Sequence, residues 1–377
     1  MRKCIVISDS FKGTLSSLEI CEIAGKCLAR RFPDCETVKI PVADGGEGTA
    51  ACFREACGGE WVPVPVRGPF GDPLTASYLR LPEGRAVLEM AAAAGLPLAE
   101  GRLDPGRAST YGVGQMIRHA IEHGVRDILL GLGGSCTNDG GCGCAAALGA
   151  IFTRADGSAF LPTGNTLDQI VDIAVPRLPE GVRITAMCDI DNPLYGPQGA
   201  AFVFAPQKGA DEAMVGRLDR NLRALDGVFA ARLGRSVADV SGAGAAGGFG
   251  GGLLALFGAD LRPGIEAVLD LVNFDSLLEN CEAVFTGEGR LDSQSLRGKV
   301  VSGVARRAGR RGVPVIVIAG SVDPDLESVC EDPESGITAV FSINRQAVDF
   351  SVSRNSSREN YAHTFDNILR LMAFGQS

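Results

Sequence analysis

The sequence predicts an α/β protein that consists of two α/β domains. Its 377 residues are sufficient for about two domains, and its 45% hydrophobic content is sufficient for substantial cores. Fifty glycines with only 6% aromatic residues favour an α/β protein with many ligand-approaching loops over an all-β sandwich. Short, continuous apolar runs alternate with helical patterns, which indicates a parallel sheet buried on both faces.

The N-terminal segment predicts a strand, a helix and a second strand. Residues 4–8, which begin with an apolar run at residues 4–7, predict the first strand, and residues 37–42 predict the second. Between them, Ser16 and Glu19 form a capping box that begins a helix. A polar segment follows each strand, at the strand end where open α/β sheets bind ligands. These segments supply the candidate ligand-binding residues Asp9, Ser10, Lys12, Asp44, Gly45, Gly46 and Glu47.

The pattern changes near Gly58, where we place a domain boundary. The elements predicted beyond it are a hairpin at 74–81 and 85–89, helices at 109–123 and 211–233, and strands from 128, at 183–188 and at 200–204. Further strands are predicted at 283–285, 313–319 and 337–343, then a polar loop at 354–359 and a closing helix at 361–372. The simplest arrangement is one discontinuous domain of residues 1–57 and 264–377, with an inserted α/β domain of residues 58–263.

The centre of the chain, residues 128–151, predicts a strand, a glycine-rich loop and an alanine-rich helix. Glycines allow close approach of a ligand to the backbone, and amides at a helix N-terminus stabilise negative charge. The loop therefore suits a phosphate or carboxylate, although a tight turn without a ligand fits the same pattern. Its candidate binding residues are Gly133, Gly134, Ser135, Thr137, Asn138 and Asp139.

The charge pattern and the cysteines exclude several classes of protein. The 36 basic and 45 acidic residues give a net charge of −9 without long runs of either sign, so a nucleic-acid surface is not expected. No stretch approaches a membrane span and no signal peptide is recognisable, so we expect a cytoplasmic protein. The 12 cysteines lie in strand-like and helix-like segments, which favours reduced thiols over disulfides.

A second glycine cluster at residues 241–252 contains a Gly-x-Gly-x-x-Gly pattern between Gly242 and Gly247. This pattern is typical of nicotinamide dinucleotide sites, so an NAD(P)-dependent hydroxy-acid dehydrogenase is an alternative function. However, residues 236–240 make a weak strand, and no second βα unit provides an acidic residue for ribose binding. A glycine-rich loop at a domain interface fits better, with Gly244, Gly247 and Gly248 as candidate ligand contacts.

Carboxylates and lysines gather at the ends of the later predicted strands. Such groups, with glycine loops and without histidine, suit phosphoryl transfer, which relies on positioning, Mg²⁺ and cations. The chain has neither a Walker A sequence nor a kinase catalytic-loop signature. The residues alone therefore support an α/β phosphotransferase. The groups concerned are Asp189, Asp191, Lys208, Glu288, Asp292 and Lys299.

Motifs along almost the whole chain resemble those of the bacterial type I glycerate kinases, and they occur in the family's order. They are Asp9-Ser10-Phe11-Lys12-Gly13, Pro41-Val42-Ala43-Asp44-Gly45-Gly46-Glu47-Gly48-Thr49, Gly133-Gly134-Ser135-Cys136-Thr137-Asn138-Asp139-Gly140-Gly141, Cys188-Asp189, Asn192-Pro193-Leu194, Pro206-Gln207-Lys208-Gly209-Ala210 and Gly287-Glu288-Gly289-Arg290-Leu291-Asp292-Ser293-Gln294. Cys136, Cys142 and Cys144 stand where the family usually has alanine or another small residue, which suggests sensitivity to thiol oxidation.

The resemblance implies ATP-dependent phosphorylation of D-glycerate with Mg²⁺, generally at the 2-hydroxyl, to give 2-phosphoglycerate. Phosphorylation at the 3-hydroxyl is the alternative, since the residues alone do not distinguish the two. The resemblance also implies two α/β domains, of which the discontinuous one is flavodoxin-like. The expected partners are D-glycerate and ATP, without nucleic acid or membrane, and a homodimer is possible.

Chemistry suggests roles for the candidate residues. The glycine loops at 133–139 and 242–248 would bind phosphate or the substrate carboxylate through backbone amides, with Lys12, Lys208 and Lys299 as charge partners. Asp189 is the first candidate for the general base, because it lies at a rigid strand end. Asp191, Glu288 and Asp292 are the candidate Mg²⁺ ligands. Asp44, Glu47, Glu288 and Asp292 remain competitors for the role of base.

Overall fold

The structure is a computed structural model that describes residues 1–42, 45–46, 48–293, 295, 299–326, 328–346 and 348–374. Its strands are β1 Lys3–Ser8, β2 Glu36–Pro41, β3 Glu60–Arg67, β4 Pro73–Leu81, β5 Arg85–Glu89, β6 Asp127–Gly131, β7 Ile151–Thr153, β8 Ala159–Phe160, β9 Asp172–Ala174, β10 Arg183–Met187, β11 Asp260–Arg262, β12 Ala283–Leu291, β13 Val315–Val322 and β14 Ala339–Ser342.

The α-helices are α1 Ser17–Arg31, α2 Thr49–Cys57, α3 Ala91–Ala94, α4 Tyr111–Glu122, α5 Cys142–Ala147, α6 Ala200–Phe204, α7 Glu212–Leu233, α8 Ala245–Phe257, α9 Gly264–Leu271, α10 Phe274–Leu277, α11 Val300–Arg310, α12 Phe350–Ser353 and α13 Ser357–Phe374. Short 3₁₀ turns include Pro206–Lys208 and Arg354–Ser356. Within the described residues, no helix is long and apolar enough to cross a membrane.

The chain divides into two compact units. Unit 1 comprises Met1–Ala43, Cys52–Gly58 and Pro263–Ser377, and unit 2 comprises Asp44–Ala51 and Gly59–Arg262. The division of the chain into two separately folding domains, with boundaries near residues 57 and 264, stays a prediction.

Unit 1 is built on a parallel sheet with the strand order β14-β13-β12-β1-β2. In the unit's own chain order this is 2-1-3-4-5, the flavodoxin-like order, so the predicted fold class is confirmed. The central strand β1 is buried throughout from Cys4 to Ser8, which explains its apolar sequence from Cys4 to Ile7. The reversal of strand order lies between β1 and β12, where such sheets bind ligands at the carboxyl ends of the strands.

Helix α1 begins where the sequence predicts. The backbone N–H of Glu19 donates to Ser16 Oγ at 3.2 Å, and the Glu19 carboxylate accepts from the Ser16 N–H at 2.9 Å. This reciprocal pair satisfies two amides that the first helical turn leaves without partners. The helix buries Ile20, Ala24 and Leu28 on the face it turns to the unit 1 core.

Unit 2 contains a mixed sheet with the strand order β11-β10-β6-β5-β4-β3. Strands β5, β6, β10 and β11 are parallel, while the predicted hairpin joins β4 and β5 in antiparallel pairing. A small antiparallel sheet of β7, β8 and β9, which the sequence analysis missed, adds to this unit. Its strands have two or three residues each, too few for a period-2 pattern to be recognised.

Three predicted elements differ from the structure. Residues 200–204 form helix α6, not a strand, because Ala201 and Ala205 pack with Val215 and Leu218 of α7 while Phe202 is exposed. The predicted polar loop at 354–359 is a 3₁₀ turn that runs into α13. Strand β12 continues to Leu291, so Glu288 lies within the strand rather than after it.

Candidate active site

The carboxyl ends of three parallel strands of unit 2 meet at one edge of its sheet. The register pairs Glu89 of β5 with Gly131 of β6, and Gly131 with Met187 of β10. The glycine loop (residues 133–139) and the segment that begins at Cys188 therefore emerge side by side. A cavity of about 310 Å³ opens there, lined by Gly46, Leu96, Leu132, Gly133, Gly134, Ser135, Met187, Cys188, Asp189, Ile190, Phe204, Gln207, Lys208, Ala245 and Ala246.

Lys208 is the buried cation of this cavity. The 3₁₀ turn Pro206–Lys208 carries it, and its side chain is only 2% exposed. Its ammonium group donates to Ser135 Oγ at 2.8 Å and to the carbonyl oxygen of Thr137 at 2.7 Å. Burial lowers the pKa of Lys208 to about 8, and the nearby Cys136 and Asp139 oppose this shift. No carboxylate among the described residues forms an ion pair with Lys208, which favours a bound anion, because an anion would restore the lost solvation.

Asp139 holds the glycine loop against two helices. Its Oδ2 accepts hydrogen bonds from the Thr110 N–H at 2.8 Å, the Thr110 hydroxyl at 2.9 Å and the Gly143 N–H at 3.2 Å. Its Oδ1 accepts from the Gly141 N–H at 3.1 Å. The side chain is fully buried, and burial raises its pKa against the effect of these hydrogen bonds. The carboxylate thus holds the shape of the loop, and its role in ligand binding stays a prediction.

Thr137 and Asn138 belong to the glycine loop, and both residues are fully buried. Neither Oδ1 nor Nδ2 of Asn138 has a hydrogen-bond partner among the described residues. A buried, unsatisfied amide is costly, so a water molecule or a ligand group is the expected partner.

The second glycine cluster packs against the first. A Cβ atom on Gly247 would lie 2.1 Å from the carbonyl oxygen of Thr137, and the Gly140 N–H donates to the Gly247 carbonyl at 3.1 Å. Ala245 and Ala246 line the cavity, whereas Gly244, Gly247 and Gly248 are not among the lining residues. No strand precedes Gly242 in the described residues 231–241, which disfavours the dinucleotide-binding interpretation of this cluster.

Asp189 lines the cavity and is exposed, directly beyond strand β10. Asp191, predicted as a metal ligand, is also exposed but is not among the lining residues. The Asn192 side chain donates to the carbonyl oxygen of Gln198 at 2.7 Å, which fixes the segment after Asp191. Asp189 is therefore the carboxylate of this segment that a ligand in the cavity can reach.

A second group of predicted residues lies in unit 1, at the reversal of strand order. The Asp9 N–H donates to the Gly287 carbonyl at 2.9 Å, which places the end of β1 beside β12. Glu288 is 8% exposed, and its Oε1 has no hydrogen-bond partner among the described residues. Burial raises the pKa of Glu288 to about 7; Ser295 and Lys299 oppose the rise, and the Asp9 and Asp292 carboxylates add to it.

This unit 1 group fits a divalent cation. No cluster of three or more metal-binding side chains occurs among the described residues. Magnesium, however, is commonly held by one or two carboxylates together with substrate phosphates. The unpaired oxygen of Glu288, with Asp9 and Asp292 as neighbouring negative charges, has the character of such a carboxylate.

The other predicted residues have less definite positions. Ser10 is half-buried, and Lys12 and Lys299 are exposed in unit 1. The Gly133 N–H donates to the Gly45 carbonyl at 3.0 Å, and Gly46 lines the unit 2 cavity. Asp44 and Glu47 lie outside the described residues.

The sequence analysis missed several residues of the unit 2 site. Gln207 lines the cavity and could have been included, because it lies within a recognised motif beside Lys208. Thr110 gave no signal, since its link to Asp139 joins positions 29 residues apart. Ala245 and Ala246 gave none either, because alanine carries no chemistry of its own.

Comparisons with known proteins show which family the chain resembles. The family model described as "Glycerate kinase family" matches residues 4–373. A Bacillus cereus glycerate kinase is 42% identical over 371 residues, which cover 97% of this chain and 97% of the relative. An Escherichia coli protein named glycerate 2-kinase is 42% identical over 380 residues, covering 99% of this chain and 98% of the relative.

A solved structure is similar over the whole length. It is the crystal structure of a Salmonella typhimurium LT2 protein described provisionally as glycerate kinase 2. The TM-score is 0.85 and the identity 39%, and the match covers 100% of this chain and 99% of the other. The full-length family match and this similarity to solved and curated relatives show that the chain belongs to the glycerate kinase family and is a kinase.

Proposed function

We propose that this protein transfers a phosphoryl group from ATP to the 2-hydroxyl of D-glycerate, with Mg²⁺, to give 2-phosphoglycerate. The observation that carries the proposal is the buried ammonium group of Lys208, bonded to Ser135 within a cavity lined by glycine-loop backbone. Such a site suits the anionic groups that glycerate and ATP both bear. The E. coli relative named glycerate 2-kinase supports the 2-hydroxyl over the 3-hydroxyl.

In unit 2, the glycine loop and Lys208 would hold an anionic group, and Asp189 would act on the hydroxyl. Gly133, Gly134 and Ser135 line the cavity together with Lys208 and Asp189. A hydroxyl is a poor nucleophile until a carboxylate within hydrogen-bond reach accepts its proton. Asp189 suits that role because it follows β10 directly and faces the cavity.

In unit 1, Glu288 and Asp292 would be Mg²⁺ ligands, with Asp9 beside them. When bound, Mg²⁺ would neutralise charge on the phosphates and on the phosphoryl group in transfer. Lys12 and Lys299 would contribute further positive charge toward phosphate oxygens. Lys299 immediately precedes α11, and its positive charge already opposes the rise in the pKa of Glu288.

Product analysis tests the proposal. The purified protein is incubated with D-glycerate, ATP and Mg²⁺, and ADP is quantified by chromatography. Enolase then dehydrates 2-phosphoglycerate directly, whereas 3-phosphoglycerate requires a mutase first. We expect ADP and an enolase-competent product in equal amounts. A product that requires the mutase would favour the 3-kinase alternative, and NAD(P) reduction without ADP would favour the dehydrogenase. A homodimer stays a prediction that light scattering tests.

A further inference from the structure

Three cysteines lie together at the amino-terminal ends of neighbouring strands in unit 1. Cys4 is the second residue of β1, Cys35 immediately precedes β2, and Cys281 lies two residues before β12. The register pairs Cys4 with Thr37 and with Ala283. Because Asp9 lies at the opposite end of β1, five residues from Cys4, this cluster is roughly 16 Å from the unit 1 candidate site.

Two of these thiols are in contact. The Cys35 thiol donates to Cys4 Sγ at 3.6 Å. Cys4 is fully buried, whereas Cys35 is only half-buried. The Cys281 thiol instead donates to the carbonyl oxygen of Ala283 at 3.2 Å. The pair therefore combines one thiol that a small reagent can reach with one that only its neighbour can reach.

The backbone around the pair is fixed. The Glu36 N–H donates to the Arg2 carbonyl at 2.8 Å, beside Cys35. The Glu282 N–H donates to the Lys3 carbonyl at 2.9 Å, beside Cys281. These hydrogen bonds hold the backbone next to Cys35 and Cys4 in the sheet, where the two Sγ atoms lie 3.6 Å apart.

The cysteines that the sequence marks as unusual are poor targets by comparison. Cys136, Cys142 and Cys144 are at most 1% exposed. Burial raises the pKa of all three thiols, that of Cys136 to about 11. Because the thiolate is the reactive species and a reagent must reach it, oxidation at these sites is disfavoured.

We propose that Cys35 and Cys4 form a dithiol site that a low-molecular-weight disulfide oxidises to a Cys4–Cys35 disulfide. The Cys35 thiolate first attacks the reagent, which forms a mixed disulfide and releases one reagent thiolate. The Cys4 thiolate then attacks Cys35 Sγ, which forms the protein disulfide and releases the second reagent thiolate. In total, two cysteine thiols lose two electrons and two protons, and the reagent disulfide becomes two thiols.

The second step requires the Cys4 thiolate, so its rate depends on pH. Burial and the neighbouring Cys35 raise the pKa of Cys4 well above its usual range, and Cys281 adds to the rise while the Thr37 hydroxyl opposes it. The thiolate fraction of Cys4 therefore increases about tenfold per pH unit across neutral pH. The rate of disulfide closure should increase in proportion to this thiolate fraction.

Oxidised glutathione is the probe, with the full chain under native conditions. Intact mass and peptide mapping should reveal a glutathione adduct on Cys35 that converts to a Cys4–Cys35 linked peptide, with a mass lower by two hydrogens than the reduced protein. Cys35→Ser should abolish the link, and Cys4→Ala should leave the adduct in place. Cys330→Ser, which removes an exposed cysteine elsewhere, is the matched control and should keep the link.

Two results would overturn the proposal. One is an adduct on Cys35 of the wild-type protein that persists at pH 9 without closure. The other is a link from Cys35 to Cys281 in place of Cys4. Should Cys4→Ala fail to fold, Cys281→Ser replaces it, because this variant must still form the Cys4–Cys35 link.

Discussion

The ammonium group of Lys208 donates a 2.8 Å hydrogen bond to the hydroxyl of Ser135, and the lysine is only 2% exposed. The two residues belong to different loops, 73 positions apart in the sequence. Their contact fixes a positive charge beside the glycine loop. The same ammonium group also binds the Thr137 carbonyl at 2.7 Å, so its position depends on the loop's backbone as well.

Replacement of Lys208 by Met should abolish most of the activity while the protein stays folded. Met fills a similar volume, and relief from the cost of burying a charge offsets the loss of the hydrogen bonds to Ser135 and Thr137, so the urea midpoint at neutral pH should not fall. Loss of a preorganised donor to developing negative charge typically costs about 10²–10³ in kcat. Lys26→Met, at an exposed lysine of α1, is the matched control and should keep full activity. Near-normal kcat in Lys208→Met would remove Lys208 from the site.

The lowered pKa of Lys208, about 8, predicts a decline of activity in mild alkali. Above this pH the free enzyme loses the charge that attracts the anion, so kcat/KM should fall as the pH rises through about 8. A bound anion restores solvation of the ammonium group, so the corresponding fall in kcat should lie at higher pH. Rate profiles between pH 6 and 10 measure both, and a kcat/KM that stays flat across this range would contradict the assignment.

Protein stability should change in the opposite sense over the same range. The folded state releases the Lys208 proton at about pH 8, whereas the unfolded chain keeps it to its ordinary pKa near 10.5. Between these values the unfolded state binds more protons, so this residue's contribution to the free energy of unfolding rises with pH. The full shift corresponds to about 3 kcal/mol. Lys208→Met should lack this rise in urea titrations.

Asp139→Asn should destabilise unit 2 through the glycine loop. An asparagine can direct its one oxygen toward the three donors at Oδ2, but its amide nitrogen then faces the Gly141 N–H. Two buried donors without an acceptor should cost about 2 kcal/mol in the free energy of unfolding. Thr110→Val removes two hydrogen bonds of the hydroxyl, the one donated to Asp139 and the one accepted from the Cys144 N–H, and should also cost about 2 kcal/mol. Urea denaturation measures both, and an unchanged midpoint in Asp139→Asn would refute the role of Asp139 in holding the loop.

The sequence predicted local structure where the signal is local. The capping box of Ser16 and Glu19 is an interaction over three residues, and it is present as expected. The strand predicted at residues 200–204 was wrong, because the apolar sequence fits a strand or a helix equally. Packing of Ala201 and Ala205 against α7 selects the helix. The motifs identified Lys208 as a site residue, but they could not predict that it is buried, because its partner Ser135 is distant in the sequence. Long-range contacts of this kind have no signature in one sequence.

The unit 1 carboxylates should control the response to Mg²⁺. Glu288→Gln and Asp292→Asn each remove a negative charge from the proposed ligand set. We expect the Mg²⁺ concentration for half-maximal rate to rise by at least roughly 10–100-fold, since loss even of a group that only orients a metal ligand typically costs that much affinity. Mn²⁺ binding without nucleotide provides a readout independent of activity. Asp332→Asn, at an exposed carboxylate of unit 1, is the control, and equal Mg²⁺ dependence in all variants would place the cation elsewhere.

Asp189→Asn tests the general base. Asparagine has nearly the same shape but cannot accept the hydroxyl proton, so the rate of the chemical step should fall by about 10²–10⁴. The affinity for ATP should change little, because Asp189 is assigned to the hydroxyl and not to the phosphates. Single-turnover measurements separate the chemical step from product release. Asp211→Asn is the matched control in the same unit, since an asparagine keeps the hydrogen bond with which Asp211 caps α7.

The competing carboxylates make this prediction decisive. Asp292 belongs to the unit 1 group, and Asp44 lies in a family motif outside the described residues. If Asp189→Asn keeps a near-normal rate while Asp44→Asn or Asp292→Asn is inactive, the base lies elsewhere. If Asp189→Asn is the one variant in which the chemical step is slow while ATP still binds, Asp189 at the end of β10 accepts the proton. That result is the one we expect, because Asp189 is the exposed carboxylate that lines the unit 2 cavity beside Lys208.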